Sequence, residues 1–308
     1  MVCKTARSEI RVVLRNEVFM MSYMASRQAS FSGIADVAGD IPGLQHLLEK
    51  IYRERGFDFR EYKETTLTRR LGRRLRARGV GSYFEYASVL DGDSTEYNNL
   101  FKDLTINVTS FFRDGWAFRT LEELALPALI GEKTNARKII RIWSAGCANG
   151  AETYSIAMLV SEMLGGELGA WEVSIIGTDI DTEVLRCAQE GLFSFKEVEE
   201  IPAGLREKYF EAEKQGFRVK TRLGHMVTFE VHNLSSAPPY HDLDLVVCRN
   251  LLIYFRPGLQ ERVIKGLHSA LREDGFLLLG KAELPIGETK RLFQCVDKRA
   301  RLYRKNIR

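Results

Sequence analysis

The sequence predicts an α/β fold, in which a mostly parallel sheet covered by helices on both faces follows an all-helical region. Three observations lead to this prediction. From residue 137 onward, apolar runs rich in β-branched residues alternate with helical stretches. Before residue 137, helical periodicity recurs over several short segments. The first apolar run ends in a turn of small residues that opens directly into a helix, which is typical of a strand, loop and helix unit.

The first part of the chain separates into an extension and a helical domain. Residues up to about 40 show no clean periodicity and end in small and polar residues, as segments without a packed core do. Leu44, Leu47 and Leu48 then recur at helical spacing behind Pro42, which suits a first helical turn. The expected boundaries are a mobile extension at 1–40, a helical domain at 41–115, a connecting helix and linker at 116–136 and the sheet domain at 137–308.

The sheet domain contains several runs with strand character and one expected insert. The insert covers about 195–236, because Phe217–Arg222 and Met226–Val231 flank the short turn Leu223-Gly224-His225 like the arms of an antiparallel hairpin. The strand-like runs are 138–143, 173–178, 226–231, 243–248 and 275–280, and the expected antiparallel edge pair is 292–296 with 300–303.

Composition excludes several classes of function. The chain has 308 residues, a formal charge of +4 and five cysteines. This charge is too small to indicate nucleic-acid binding by itself, and no apolar stretch reaches the roughly 18 residues of a membrane span. The cysteines form no Cys-x-x-Cys pair, so neither a zinc site nor a disulfide framework is predicted. We therefore expect a cytoplasmic protein with no metal and no membrane insertion.

The turn after the first apolar run is the strongest candidate for a binding site. Gly146 and Gly150 allow backbone N–H groups to approach a ligand, and the following helix directs its free donors to the same place. Glu152 lies just past this turn, and Asp179 ends the next apolar run, where an acid can accept both hydroxyls of a ribose. No Gly-x-Gly-x-x-Gly or Gly-Lys-Ser/Thr pattern is present, so a nucleoside without phosphates is expected, and S-adenosylmethionine fits. The plain alternative is a simple tight connection.

Three further clusters also have plain structural readings. Asn107, Thr109 and Arg113 surround two phenylalanines, which together can form a helix cap and a hydrophobic plug. Asp181 can cap the helix that begins near it. The third cluster, Cys248-Arg249-Asn250 through Tyr254, follows the fourth strand, at the sheet edge where open α/β folds bind ligands. A buried tyrosine with a satisfied hydroxyl is the alternative for Tyr254.

These motifs together resemble the CheR-type chemotaxis receptor glutamate methyltransferases, over about residues 42 to 305. They occur in the family's order: Asn-x-Thr-x-Phe-Phe-Arg, Ala-Gly-Cys-x-x-Gly-x-Glu-x-Tyr-Ser, Thr-Asp-Ile-Asp, Asn-Leu, and Cys-Arg-Asn-x-x-Ile-Tyr-Phe. The resemblance implies a Rossmann-like S-adenosylmethionine methyltransferase sheet with an inserted small antiparallel β-subdomain, preceded by an all-helical N-terminal domain. It also implies methyl transfer from S-adenosylmethionine to glutamate carboxylates of chemoreceptors, with S-adenosylhomocysteine as the second product.

The resemblance assigns roles to individual residues. Arg249 is expected to position carboxylates or the charged end of the cofactor, and Tyr254 is expected near the transferring methyl as the second catalytic residue. A glutamate carboxylate is already ionised at neutral pH, so the expected site needs no general base. By the family's pattern, the cofactor pocket is lined by Asn107, Thr109, Arg113, Glu152, Asp179, Asn233, Leu234, Arg249 and Asn250.

Substrate docking is expected on one helix of the N-terminal domain. Arg69, Arg73 and Arg76 fall on one side of a helical wheel at about 100° per residue, opposite a row of leucines. By the resemblance, such a face docks on the acidic helical domain of a chemoreceptor, and the alternative is a solvated surface. The short turn at 223–225 argues against tethering of a receptor peptide, and we expect a monomer.

Two other functions compete with this one. Pro238-Pro239-Tyr240 is similar to a turn of nucleic-acid amino-methyltransferases, but it precedes the strand that begins at Leu243, so we interpret it as an ordinary loop. A non-catalytic module that binds S-adenosylmethionine or its demethylated product is the second alternative. The intact set of polar residues named above disfavours this scaffold function.

Overall fold

The structure is a computed structural model that describes residues 39–105, 109–133 and 137–306. It divides into two compact units, with the boundary in the sequence after Leu104. The expected extension at 1–40 falls almost entirely outside the described residues. Thr105 and residues 109–115 belong to the sheet unit, whereas the sequence grouped them with the helical domain. Packing explains this, because Phe111 contacts phenylalanines of the sheet unit.

The helical unit has a core of leucine and tyrosine side chains. The side chain of Asp40 caps the first helix by accepting the N–H of Gly43 at 2.9 Å. Glycine after a run of leucines at helical spacing predicts a helix end, and Gly79 ends the second helix in a left-handed conformation, at φ 67°. Ser82 followed by Glu85 three residues later predicts a capping box for the third helix. Ser82 caps this helix, but the carboxylate of Glu85 accepts the N–H of Gly81 and not that of Ser82, so the capping box forms only in part. The helices are α1 (Ile41–Arg55), α2 (Glu64–Arg78), α3 (Tyr83–Gly92) and α4 (Ser94–Leu104).

A buried carboxylate connects three of these helices. Glu96 of α4 is fully buried and accepts three hydrogen bonds from the guanidinium of Arg74 on α2, at 2.7, 2.8 and 2.9 Å. The hydroxyl of Tyr86 on α3 donates to the same carboxylate at 2.6 Å. This bidentate arrangement compensates the burial of both charges. It also fixes the rotation of α2 about its axis, which determines which arginines remain exposed.

The sheet unit contains one seven-stranded sheet in the order β6-β2-β1-β7-β8-β10-β9. Neighbours β6, β2, β1, β7 and β8 pair parallel, and β10 pairs antiparallel with both β8 and β9. Every residue of β7 is buried, as expected for a parallel strand covered on both faces. The predicted antiparallel pair at the C-terminal edge is confirmed. The strands are β1 (Ile139–Ala145), β2 (Glu172–Asp179), β6 (Val227–Val231), β7 (Leu243–Cys248), β8 (Leu271–Leu279), β9 (Phe293–Asp297) and β10 (Leu302–Lys305).

Helices connect these strands. The predicted helix from Trp116 to Ile130 is present, and its middle turn, Leu121–Ala125, is a π-helical segment. No helix among the described residues is both long and apolar enough to cross a membrane. The α-helices of this layer are α5 (Gly115–Thr120), α6 (Leu126–Lys133), α7 (Ala151–Leu164), α8 (Thr182–Glu190) and α11 (Pro257–Ala270), with short 3-10 helices at Gly165–Ala170, Leu252–Tyr254 and Gly287–Leu292.

A small antiparallel sheet is inserted between β2 and β6, as predicted, but with different strands. The strand order of this sheet is β3-β5-β4, and the insert also contains two short helices. Both strands of its hairpin precede residue 220, and a two-residue turn joins them. The elements are β3 (Leu192–Phe193), α9 (Ala203–Tyr209), β4 (Phe210–Glu213), β5 (Gly216–Val219) and α10 (Thr221–Gly224).

The predicted hairpin between Phe217–Arg222 and Met226–Val231 is wrong. The second segment leaves the insert and forms β6, which pairs parallel with β2 at the edge of the main sheet. Residues 221–224 form a helical turn, so the chain does not reverse there. The ring of Phe229 on β6 packs against Gly150 and Gly177. A Cβ would lie 2.8 Å from this ring at Gly150 and 2.7 Å from it at Gly177, so β6 can pack here only because both residues are glycines.

Candidate functional site

The loop that follows β1 is held against the end of β2. The N–H groups of Gly146 and Cys147 both donate to the carbonyl of Thr178, at 2.7 and 2.9 Å. Gly146 and Gly150 have φ values of 79° and 84°, and the intervening Ala148 has φ 48°, which is unusual for a residue with a side chain. Three left-handed residues within five positions make this turn tight, and it leads directly into α7.

The glycines of this loop are required by packing. A Cβ on Gly146 would lie 2.8 Å from Leu251, which follows β7, and one on Gly150 would lie 2.8 Å from Phe229. Close approach of the backbone to a ligand, which the sequence suggested, is therefore not needed to explain either residue. At this edge the ends of β1 and β7 are neighbours, and β2 lies between β1 and β6.

Asp179 receives one backbone donor on each carboxylate oxygen. Oδ2 accepts the N–H of Ala148 at 2.9 Å, and Oδ1 accepts the N–H of Asp181 at 3.0 Å. Burial raises the pKa of Asp179 above its ordinary value, and the backbone N–H groups oppose this shift. Asp181 caps α8 through the N–H of Glu183 at 2.9 Å, so its plain structural reading is confirmed. Asp179 is thus fixed in orientation and retains acceptor capacity on both oxygens.

Glu152 lies in the first turn of α7 and is held by two donors. Its Oε1 accepts the hydroxyl of Ser144 at 2.9 Å, and its Oε2 accepts Nη1 of Arg249 at 3.1 Å. The side chain of Glu152 is 12% exposed, whereas that of Arg249 is only 1% exposed. The carboxylate therefore faces a partly open space, while its cationic partner lies behind it.

Arg249 also fixes the segment that precedes α5. Its Nη2 donates to the carbonyl of Arg113 and to Oδ2 of Asp114, both at 2.8 Å. Phe112 and Asp114 have left-handed backbone angles, φ 48° and 57°, so this segment is held in a strained conformation. With its terminal nitrogens engaged in this way, Arg249 positions other groups of the site.

The two phenylalanines of this segment anchor it to the sheet unit. The N–H of Phe112 donates to the hydroxyl of Ser155 on α7 at 3.0 Å. The ring of Phe111 is buried between Phe193 of β3 and Phe210 of β4, with centroid distances of 4.7 and 5.5 Å. The hydrophobic plug considered from the sequence is confirmed for these aromatics. Thr109 lies at the described start of this segment, and Asn107 lies outside the described residues.

Asn250 and Tyr254 belong to the segment that leaves β7. Asn250 has φ 60°, and a short 3-10 helix, Leu252–Tyr254, follows it. The carboxylate of Glu283 accepts the backbone N–H of Asn250 at 2.9 Å and that of Ile253 at 3.2 Å. Sequence reasoning missed Glu283, because a single glutamate after a strand has no distinctive pattern. Its nearest signal was its position just past the carboxyl end of β8.

Asn233 and Leu234 follow β6 and are half-buried. The side-chain oxygen of Asn233 accepts the N–H and the hydroxyl of Ser235, at 3.0 and 2.8 Å, so part of its hydrogen-bonding capacity stabilises a turn. The preceding residue, His232, donates its backbone N–H to the carbonyl of Asp179 at 3.0 Å. The predicted residues after β1, β2, β6 and β7 therefore occupy one edge of the sheet.

The polar groups at this edge of the sheet suit a cationic nucleoside better than a phosphate or a metal ion. Asp179 and Glu152 supply acceptors for hydroxyls and cations, and the N–H of Ala148, which a phosphate would need, is already bonded to Asp179. No group of three or more His, Cys, Asp or Glu that could hold a metal ion occurs in the part of the chain that the structure describes. The residues present fit S-adenosylmethionine, which combines a ribose with positive charges.

The three arginines expected to form a docking face are exposed on α2. Arg69, Arg73 and Arg76 form no ion pair with any residue in the described ranges, and we call them the basic face. Other arginines of α2 are engaged within the helical unit: Arg74 binds Glu96 and Arg78 binds Asp93. The charge of the basic face is therefore available to a partner.

Comparison with known proteins identifies both parts of the chain. The family profile described as CheR methyltransferase, all-alpha domain, matches residues 42–105. The profile described as CheR methyltransferase, SAM binding domain, matches residues 107–302. The two matches follow the two units and together cover most of the chain.

Individual relatives agree with these matches. The chemotaxis protein methyltransferase 2 of Pseudomonas aeruginosa is 35% identical over 247 residues, which is 78% of this chain and 85% of that protein. The chemotaxis protein methyltransferase of Escherichia coli is 31% identical over 248 residues, which is 78% of this chain and 83% of that protein. An uncharacterized 104.1 kDa protein of Rhodobacter capsulatus is 36% identical over 73% of this chain, and the match spans 24% of that longer protein.

The order of the strands, the polar residues at the carboxyl edge and the two profile matches agree. The chain belongs to the CheR methyltransferase family and carries that family's S-adenosylmethionine-binding domain.

Proposed function

We propose that the chain transfers the methyl group of S-adenosylmethionine to glutamate side chains of chemoreceptors, forming methyl esters in chemosensory adaptation. One observation carries this proposal: the carboxylates of Glu152 and Asp179 share the sheet edge where the segment with Tyr254 begins. The printed names of the relatives, which are chemotaxis protein methyltransferases, support the chemoreceptor as substrate.

The proposed roles follow from what each side chain can accept or donate. Asp179 accepts the ribose hydroxyls, and Glu152 attracts the positive charge of the cofactor. Arg249 holds Glu152 and the segment at 113–114 in place, and Tyr254 orders the acceptor near the methyl group. The remaining pocket residues, proposed from the family pattern, are Asn107, Thr109, Arg113, Asn233, Leu234 and Asn250.

The reaction requires alignment more than acid or base catalysis. When bound, S-adenosylmethionine supplies an electrophilic methyl group. The glutamate oxygen of the receptor is already ionised, so the chain must align it at about 3 to 3.5 Å and exclude water, and alignment of this kind contributes roughly 7 to 11 kcal/mol in favourable cases. Burial raises the pKa of the Cys147 and Cys248 thiols, so neither supplies a thiolate nucleophile.

The basic face is the proposed docking surface for the receptor. These three exposed arginines form no ion pair with an acid in the part of the chain that the structure describes, so they attract an acidic helical partner. Surface attraction of this kind is screened over about 10 Å at 0.1 M salt. The insert is not proposed to tether a receptor peptide, since its β4–β5 hairpin has a turn of only two residues, Lys214 and Gln215. We further propose that the chain acts as a monomer in the cytoplasm, where the receptor's helical domain lies.

The first prediction concerns the chemical product. Incubation with methyl-labelled S-adenosylmethionine and receptor-bearing membranes is expected to label the receptor, and alkali is expected to release the label as volatile methanol, because esters hydrolyse and N-methyl groups do not. Counting the volatile fraction measures this. Label that is stable to alkali on nucleic acid would favour the nucleic-acid alternative, and binding without any transfer would favour the scaffold.

The second prediction concerns Asp179. Its asparagine variant is expected to bind S-adenosylhomocysteine at least about tenfold more weakly, because hydrogen bonds to a charged acceptor contribute more than neutral ones. In the parent protein, the Kd is expected to rise as the pH falls into the acidic range, since burial raises the pKa of this carboxyl and protonation removes its acceptor capacity. In the variant this pH dependence is expected to flatten.

Calorimetry on folded protein at several pH values measures both effects. The neighbouring Asp181 provides the matched control, because Asp181→Asn makes the same chemical change two residues away. This variant is expected to retain the parent's affinity within about threefold, as the carboxylate of Asp181 caps α8 and asparagine is also a good helix cap. Parent-like affinity and pH dependence in Asp179→Asn would contradict the ribose assignment.

The third prediction concerns the basic face. Replacing Arg69, Arg73 and Arg76 together with glutamine is expected to raise the KM for receptor at least about fivefold and to weaken its dependence on salt, with kcat changed little. Initial rates at several salt concentrations measure this. The control removes the same charge from exposed lysines of the sheet unit, Lys214, Lys290 and Lys298. Equal effects of the two triple variants would show that only net charge matters and would contradict docking by the basic face.

A further inference from the structure

Glu283 is a buried acid that binds only backbone groups. It follows β8 and is 3% exposed. Its Oε2 accepts the N–H of Gly280 at 2.7 Å and that of Asn250 at 2.9 Å, and its Oε1 accepts the N–H of Ile253 at 3.2 Å. Two of these three donors belong to the segment that leaves β7, so this carboxylate connects the ends of two neighbouring strands.

The charge of Glu283 is compensated without a cation. Within the described residues it forms no ion pair, and burial raises the pKa of this carboxyl while the backbone N–H groups lower it. Both oxygens accept N–H groups, so the ionised form is the one that the surroundings fit. A buried carboxylate costs free energy to maintain, and an apolar residue would fill the space at lower cost.

The segment that Glu283 holds has an unusual conformation. Asn250 has φ 60°, a left-handed angle that a non-glycine residue adopts only when its surroundings require it. The 3-10 helix Leu252–Tyr254 begins two residues later, so Tyr254 ends the short segment that this bend directs. The hydrogen bonds from Asn250 and Ile253 to Glu283 lie at both ends of this bend, so they determine its shape.

Gly280 shows how closely these groups approach one another. A Cβ at this position would lie 2.5 Å from Oε2 of Glu283 and 2.7 Å from the backbone nitrogen of Asn250. Any side chain at position 280 would push the carboxylate of Glu283 away from the N–H group of Asn250, whose hydrogen bond it accepts. The glycine is therefore needed for the contact between the loop after β8 and the segment after β7.

We propose that Glu283 is a positioning residue for methyl transfer: its carboxylate holds the bend that presents Asn250 and Tyr254, and it acts on the reaction through them. This inference rests on the proposed roles of those two residues in cofactor binding and acceptor alignment. Glu283 is not proposed to contact either reactant. Its carboxylate is one acceptor group shared by the loop after β8 and the segment after β7.

The test compares isosteric and indirect changes of this contact. In Glu283→Gln an amide nitrogen replaces one oxygen and faces a backbone N–H. In Gly280→Ala the acid remains but is pushed from its donors. Both variants are expected to lower kcat for methyl-ester formation by about tenfold to a hundredfold, since small displacements near reacting groups have effects of this size, while the KM for receptor stays within about twofold. The control is Glu288→Gln, whose exposed side chain lies on the next 3-10 helix and which is expected to behave as the parent.

Measuring Glu283→Gln in a second protein background, Tyr254→Phe, distinguishes a positioning role of Glu283 from a purely structural one. If Glu283 acts through Tyr254, Glu283→Gln is expected to cost much less in a Tyr254→Phe protein than in the parent. Thermal unfolding and calorimetry with S-adenosylhomocysteine accompany each rate. Where Tyr254→Phe itself lowers the rate, an equal loss in both backgrounds would overturn the proposal. A parent-like kcat in folded Glu283→Gln and Gly280→Ala would also overturn it.

Failure of the underlying assignment gives a different result. If Tyr254→Phe alone has the parent rate, the role proposed for Tyr254 is wrong. The remaining route for Glu283 is then the positioning of Asn250, which is proposed to bind the cofactor. An unchanged Kd for S-adenosylhomocysteine in Glu283→Gln would overturn this positioning role as well. A Kd raised about fivefold or more, with Glu288→Gln unchanged, would support positioning through Asn250.

Discussion

The guanidinium of Arg249 joins three segments that are distant in the sequence. It lies 97 residues from Glu152 and 135 residues from Asp114, yet it donates to both, and it also donates to the carbonyl of Arg113. A buried guanidinium must have partners of this kind, because an unpaired charge in the interior is strongly unfavourable. The planar group has more donors than an ammonium and holds them in a fixed geometry, so it orients the acceptors on both sides. The position of Glu152 and the strained backbone before α5 both depend on this one contact.

Two acids near the carboxyl edge of the sheet are oriented by backbone groups, whereas Glu152 is held by the side chains of Ser144 and Arg249. Asp179 and Glu283 each accept N–H groups from neighbouring loops, and neither forms an ion pair with a described residue. Their charges are consequently fixed in direction without being neutralised by a cation. A carboxylate that no cation neutralises attracts cationic groups more strongly than neutral ones.

Local patterns predicted much of this structure, and long-range contacts account for what they missed. A helix end such as the one at Gly79 and a strand such as the one at 243–248 depend on residues close by in the sequence. Capping residues and hydrophobic periodicity therefore predicted them. The strand that pairs with Met226–Val231 was predicted wrongly. Whether this segment forms a hairpin or joins the edge of the main sheet depends on the packing of Phe229 over Gly150 and Gly177, which local patterns do not show. Arg249 was placed at the right edge, but its burial behind Glu152 depends on residues far along the chain. Glu283 gave no signal, since its partners are backbone groups whose positions only the folded chain defines.

The dependence of the cofactor site on the Arg249 and Glu152 pair is tested by a double-mutant cycle with Arg249→Lys and Glu152→Gln. Calorimetry with S-adenosylhomocysteine gives the Kd of the parent, each single variant and the double variant, and near-ultraviolet circular dichroism verifies that each is folded. Each single change is expected to weaken binding at least about tenfold, and the double change is expected to add little, because the two side chains act as one pair. Losses that multiply in full, or parent-like affinity in folded Arg249→Lys, would show that the site does not depend on this pair.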